Sequence, residues 1–128
     1  TAAPLANDYD GIYAIDVLEH IPPEREHAFL ANLCRSLSKT GVLILGIPSL
    51  ESQAYASPIS RAGHVNCKSG PQFRETMRRY FDNVFLFSMN DEVVHTGHTQ
   101  MAHYLLALCC FPRRRRPRTA AAEKRSSR

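Results

Sequence analysis

Short apolar runs alternate with amphipathic stretches through residues 9–110, and this pattern predicts the elements. Tyr9-Asp10-Gly11-Ile12-Tyr13-Ala14-Ile15 has the length and apolar content of a buried strand. Pro22-Pro23 stops extended pairing and opens a helix, with Glu24 and Glu26 at its positive end. Phe29, Leu33 and Leu37 recur at spacing four, with Leu30 and Cys34 beside them, so one helix face is apolar to about Ser38. Lys39-Thr40-Gly41 is expected to close that helix with glycine past its end. Val42 to Ile47 is apolar at every position, as in a parallel strand covered on both faces.

Residues 49–68 form a polar stretch whose length is unusual unless it carries function. Ser69-Gly70-Pro71-Gln72 then has the signature of a capped helix start, followed by Phe73, Met77 and Tyr80/Phe81 on one face. Asn83 to Met89 reads as a strand, Asn90 to Gln100 as a second polar loop, and Met101 to Cys110 as a last strand. Tyr55, Phe85 and Phe87 are expected to be packing residues. Strands alternating with helices predict a layered α/β sheet. The chain divides into a loop at 1–8, a folded part at 9–110 and a tail at 111–128, expected to be disordered because it is Pro, Arg, Ala and Ser without periodicity.

Charge sharpens this division. The net charge of +4 arises from the tail, where seven Arg and one Lys face one Glu. Residues 1–110 are net acidic, so the basic balance says nothing about the folded part. Arg113-Arg114-Arg115-Arg116-Pro117-Arg118 could attract phosphates, but without interleaved aromatic residues a solvated tail is the plainer reading, and nucleic acid is not expected as a partner. No run of 18 apolar residues predicts a membrane span. Thr1-Ala2-Ala3-Pro4 lacks the pattern of a secretory signal and reads like the middle of a longer chain. Cys34, Cys67, Cys109 and Cys110 show no metal-knuckle spacing, so buried thiols in a reducing, cytoplasmic compartment are expected.

Three segments resemble a known family. Tyr9 to Ile21, with Asp10 after an aromatic residue, an apolar strand and then Leu18-Glu19-His20-Ile21, resembles the fourth-strand motif of class I S-adenosylmethionine-dependent methyltransferases. Ser36 to Ile44 resembles the family's next motif, a turn into the fifth strand, with Ser38-Lys39-Thr40 in place of the usual Pro-bearing turn. Gly63-His64-Val65-Asn66 with Phe73-Arg74-Glu75 resembles the loop into its last helix. The resemblance implies a partial Rossmann-like sheet, strands 4-5-7-6 with the last strand antiparallel, and S-adenosylmethionine as cofactor. It implies methyl transfer to a small-molecule acceptor. The family's glycine-rich cofactor loop has no counterpart here, since all six glycines are isolated. The missing N-terminal half, or a homodimer partner, is therefore an expected partner. The rival reading is an inactive truncated domain acting as an interaction module.

Ligands of an open α/β sheet bind beyond the carboxyl ends of its parallel strands. Asp16–His20, Pro48–His64 and Asn90–His98 should therefore meet on one rim. The resemblance implies that the backbone at Ala14, Ile15 and Asp16 meets the methionine part of the cofactor, with His20 beside it. Asp16 could equally cap the next segment, and His20 could be a packed rim histidine. His64, in the long loop, is the candidate general base, or else a loop anchor. Asn90-Asp91-Glu92 with His95 and His98 has metal-binding atom types but no ligand spacing, so no metal site is expected.

Overall fold

A computed structural model of the chain describes residues 8–113, and the Arg-rich run from Arg114 and residues 1–7 lie outside the described residues. Five strands form one open sheet in the order β1-β2-β5-β3-β4. They are β1 (Tyr9–Ile15), β2 (Leu37–Pro48), β3 (Phe81–Asn90), β4 (Val93–His95) and β5 (Tyr104–Pro112). β1 runs parallel to β2, while β5 lies antiparallel between β2 and β3. β1, β2 and β3 therefore point the same way, and the expected 4-5-7-6 order is present. β4 is an addition: the expected loop after Asn90 folds back on β3 as a short hairpin, turning through Asp91 at φ 51°.

Helices α1 (Pro23–Ser36) and α3 (Gly70–Arg78) cover one face of the sheet. Leu30, Leu33 and Cys34 of α1 and Phe73 and Met77 of α3 join Leu43, Leu45, Ile47, Leu105, Ala107 and Cys109 in one buried cluster. These helix residues are the predicted apolar faces, brought inward by the 3.6-residue period. Ser69 caps α3: its hydroxyl accepts from Gln72 N while the Gln72 side chain accepts from Ser69 N, so two orphan donors are satisfied. The short helix α2 (Pro58–Gly63) and a 3-10 segment at Glu51–Tyr55 organise the long polar stretch.

The turn after α1 differs from expectation. The chain is already extended at Leu37 (φ −78°, ψ 149°), so no left-handed glycine closes the helix. Leu37 is fully buried and pairs with Tyr9, and the register then slips before Gly11 meets Val42. Gly41 serves close approach instead: a Cβ there would lie 2.8 Å from the Tyr9 carbonyl. The last strand also continues past Cys110 to Pro112, and Arg113 N donates to the Tyr80 carbonyl at 2.7 Å.

The opposite face of the sheet is apolar and exposed. Register places Tyr13 beside Ile44, Ile44 beside Leu108, and Leu108 beside Phe85. Tyr13 is 79% exposed, Phe85 53% and Ile44 43%. Phe85 is therefore not the packing residue expected, because alternation sends it away from α3; Tyr55, at 92% exposed, is not one either. Among the described residues no helix is long and apolar enough to cross a membrane.

Two tests follow from this packing. Gly46 lies under the Tyr104 ring, where a Cβ would meet Cε1 at 2.7 Å, whereas a Cβ at Gly11 meets nothing within 4 Å. Gly46→Ala should lower stability by about 1–3 kcal/mol in urea denaturation, and Gly11→Ala should stay within about 0.5 kcal/mol. The bare apolar face should make the 128-residue chain self-associate, so gel filtration of a dilution series should give a mass above 14.4 kDa that falls on dilution.

Candidate functional site

The carboxyl ends of β1 and β2 and the start of β5 meet at one rim, where Asp16 leaves the sheet in the left-handed region at φ 55°. Aspartate tolerates that conformation better than most residues. Its N–H donates to the Gly46 carbonyl and to the Tyr104 hydroxyl, each at 3.2 Å. Burial, with a hydrogen bond and the charge of Asp16, pushes the Tyr104 phenol well above its usual range. Tyr104 was not singled out by the sequence reading, and only the glycine on the neighbouring strand hints at it.

From Asp16 the chain enters a single 3-10 turn, Leu18–His20. Leu18 is fully buried, and Glu19 is drawn in with it to 1% exposure. Neither Glu19 oxygen has a hydrogen-bond partner among the described residues. Burial raises its carboxyl above the ordinary 4.5; its own backbone N–H opposes this without a bond of normal geometry, and the Asp16 charge adds to the rise.

His20 and His64 come together here. Their ring centroids are 5.1 Å apart in an edge-on arrangement. His20 Nδ1 lies 2.9 Å from the Gly63 carbonyl, which can only accept, so that nitrogen carries the proton. His64 Nδ1 lies 2.8 Å from Gln53 Oε1. Gln53 Nε2 donates to the Ser49 carbonyl and the Ser52 hydroxyl, which fixes its amide so that Oε1 faces the imidazole. In both histidines Nδ1 is thus engaged, and Nε2 of His20 is 3.7 Å from Glu19 Oε1.

Buried contacts hold this rim in place. Ser49 Oγ donates to the Ala102 carbonyl at 2.6 Å, tying the loop after β2 to the approach to β5. Asn66 N donates to the Glu19 carbonyl, and Asn66 and Lys68 both reach the Glu26 carboxylate on α1, at 2.8 and 2.7 Å. A groove of 540 Å³ opens between the loop after β2 and the approach to β5, lined by Glu51, Ser52, Tyr55, Gln100, Met101 and His103 and by none of Asp16, Glu19, His20 or His64. Ala14 packs against the core, while Ile15 and Asp16 are exposed.

Two of the three segments expected at the rim therefore converge through side chains, at His20 and His64. The third contributes by another route: Asn90 accepts from His103 N and donates to the Met101 carbonyl, while His95 and His98 bond only to Gly97 N and to Gln100. Among the described residues, the group that gathers three metal-ligating atoms is Glu19, His20 and His64, not Asp91, Glu92 and His95.

Comparison with known proteins concerns the fold. No family model matches the chain, and no curated protein matches it by sequence. Among solved structures, it resembles the complex of the Haloferax volcanii Trm112 methyltransferase activator with a protein described as a methyltransferase (TM-score 0.64, 14% identity). It also resembles a SAM-dependent methyltransferase from Thermotoga maritima (TM-score 0.62, 18% identity). These likenesses cover 87% and 88% of this chain but 58% and 59% of those chains. A protein from Nostoc punctiforme described as an O-methyltransferase is similar over 81% of this chain and 33% of its own length (TM-score 0.53, 16% identity). The chain has a partial class I methyltransferase fold and spans under three-fifths of the first two structures.

The unpartnered carboxylate gives a direct test. Because the Glu19 carboxyl titrates higher when folded, the folded chain holds its proton more tightly than the unfolded chain. Its contribution is retained below 4.5 and falls as pH rises through the raised value. In chelator-containing buffer, Glu19→Gln should therefore be more stable than the parent at pH 7.5 by about 1–3 kcal/mol, with the gap narrowing toward pH 5. Paired urea melts at several pH values measure it; a variant less stable at every pH would show that the carboxylate has an unseen partner.

Proposed function

We propose that this chain forms the acceptor-side part of an S-adenosylmethionine-dependent methyltransferase site. One observation carries the reading: on a methyltransferase fold, the rim at the carboxyl ends of β1 and β2 gathers Asp16, Glu19, His20 and His64. Ligands of such sheets bind at that edge.

The residues present fit one wall of a cofactor site. Ile15 and Asp16 are exposed at the strand end, and Tyr104 fixes the backbone there by accepting from Asp16 N. The backbone at Ala14, Ile15 and Asp16 would hold the methionine part, and the Asp16 carboxylate would attract its ammonium. His20 flanks this wall. The cofactor supplies an activated methyl group on a sulfonium, so the protein's task is positioning.

His64 Nε2 has no partner among the described residues, and Gln53 holds the proton on Nδ1. That is the tautomer a general base needs to take a proton from an acceptor hydroxyl or amine. The groove bordered by Tyr55 and Met101 suits a small acceptor with an apolar part. The missing segment of the fold would supply the other cofactor wall. An interaction module without turnover is the second reading, favoured by the exposed apolar sheet face.

Calorimetric titration of S-adenosylhomocysteine into the 128-residue chain tests the first reading. Saturable binding weakened about tenfold by Asp16→Ala, about 1.4 kcal/mol, is expected. No binding to this chain, and none after the complementary part of the fold is added, would overturn it in favour of the second.

A further inference from the structure

The cluster at Glu19 poses a problem of charge. Glu19 Oε1 and Oε2 are buried and have no hydrogen-bond donor. His20 and His64 each turn Nδ1 to an oxygen outside the cluster, Gly63 O and Gln53 Oε1. Glu19 Oε1 faces His20 Nε2 at 3.7 Å. One ligand atom from each residue lies within 4.8 Å of the others. A buried carboxylate without a donor is costly unless a positive charge joins it, and the half-exposed His20 leaves the cluster open on one side.

We propose that Glu19, His20 and His64 bind one divalent first-row transition cation, of the Mn²⁺, Fe²⁺, Co²⁺ or Zn²⁺ class. Two imidazole nitrogens with one carboxylate match the donor preference of these ions and leave coordination positions open. Magnesium and calcium favour all-oxygen sets. Ligand distances of about 2.0–2.2 Å put neighbouring donors about 3 Å apart, so the three side chains close inward on binding. Gly63 O and Gln53 Oε1 are the oxygen partners that ligating histidines use to fix ring orientation. The acidic surroundings agree, since Asp16 adds its charge beside Glu19.

The second coordination shell is itself anchored. Gln53 is held by Ser49 and Ser52, and Ser49 is fully buried against Ala102. The site joins the turn after β1 to the loop after β2, two segments 43 residues apart at His20 and Gly63. In the methyl-transfer reading, on which this clause alone rests, the open positions would take an acceptor oxygen and lower its pKa. A bound cation occupies the His64 lone pair that a general base requires, so the two roles exclude each other.

The test needs neither cofactor nor acceptor, so its failure is separate from failure of the methyl-transfer reading. The chelator-treated 128-residue chain is titrated with Mn²⁺, followed by the electron paramagnetic resonance of the free ion, and with Co²⁺, followed by visible absorption. One ion per chain is expected. Glu19→Gln and His64→Ala should each weaken binding by at least about tenfold, and Gln53→Ala by about 10–100-fold. The double variant His95→Ala/His98→Ala should bind as the parent does. Circular dichroism checks that each variant is folded. Should Glu19→Gln fail to fold, ¹⁵N NMR of the parent with Zn²⁺ decides, by a shift of Nε2 but not Nδ1 in His20 and His64. Absence of a stoichiometric ion, binding lost only in the His95/His98 variant, or an imidazolium on His20 that Zn²⁺ leaves unchanged would overturn the proposal.

Discussion

The rim depends on how β1 ends. Parallel pairing with β2 brings Ile15 opposite Gly46, and the next N–H, that of Asp16, is shared between the Gly46 carbonyl and the Tyr104 hydroxyl. This is possible because Gly46 has no side chain: the Tyr104 ring occupies the space a Cβ would need. Asp16 can then adopt positive φ and turn the chain across the sheet edge. Without that turn, Leu18 would not enter the core and Glu19 would not follow it. A packing constraint between a glycine and a tyrosine 58 positions apart in sequence thus determines where a carboxylate is buried.

That burial works against stability. Fully buried Leu18 supplies about 1.5–3 kcal/mol of hydrophobic driving force, and an unsatisfied carboxylate beside it offsets about 1–3 kcal/mol. The neighbouring contacts compensate elsewhere. Asn66 and Lys68 bring two donors to Glu26, while Asn66 N satisfies the Glu19 carbonyl. The backbone of the Glu19 turn is therefore well partnered and only its side chain is not. Structural residues rarely show that division, because selection for stability alone would have placed a leucine or glutamine there. The proposed cation at Glu19 would account for that division.

Much of the fold was legible in the sequence because period and capping are local. The apolar faces of α1 and α3 and the Ser69–Gln72 capping box required no tertiary information. The strand order followed from resemblance at Tyr9–Ile21 and Ser36–Ile44. Lys39-Thr40-Gly41 misled because glycine after a helix signals a cap, whereas Gly41 admits the β1 backbone, a long-range demand. Phe85 misled because alternation shows which residues share a face but not which face is covered. At the site, His20 and His64 were chosen separately; their meeting depends on the fold of residues 49–63, whose polar composition carries no periodicity. Glutamate is rarely buried, and nothing local in Leu-Glu-His marks Glu19 as the buried case.

The chain therefore holds two surfaces of opposite character. One sheet face ends in a rim of carboxyl and imidazole groups, assembled within residues 16–104. The other is apolar, from Tyr13 across Ile44 and Leu108 to Phe85, and continuous with the exposed edge of β1. A polar site can stand in water, since solvent satisfies its open groups. An apolar sheet face with an unpaired edge cannot do so cheaply. The chemistry of the rim and the need for a cover are thus separable properties of the same sheet: metal binding requires only the turn after β1 and the loop after β2. Binding a large cofactor requires further walls, and a polypeptide covering the apolar face would be a natural source of them.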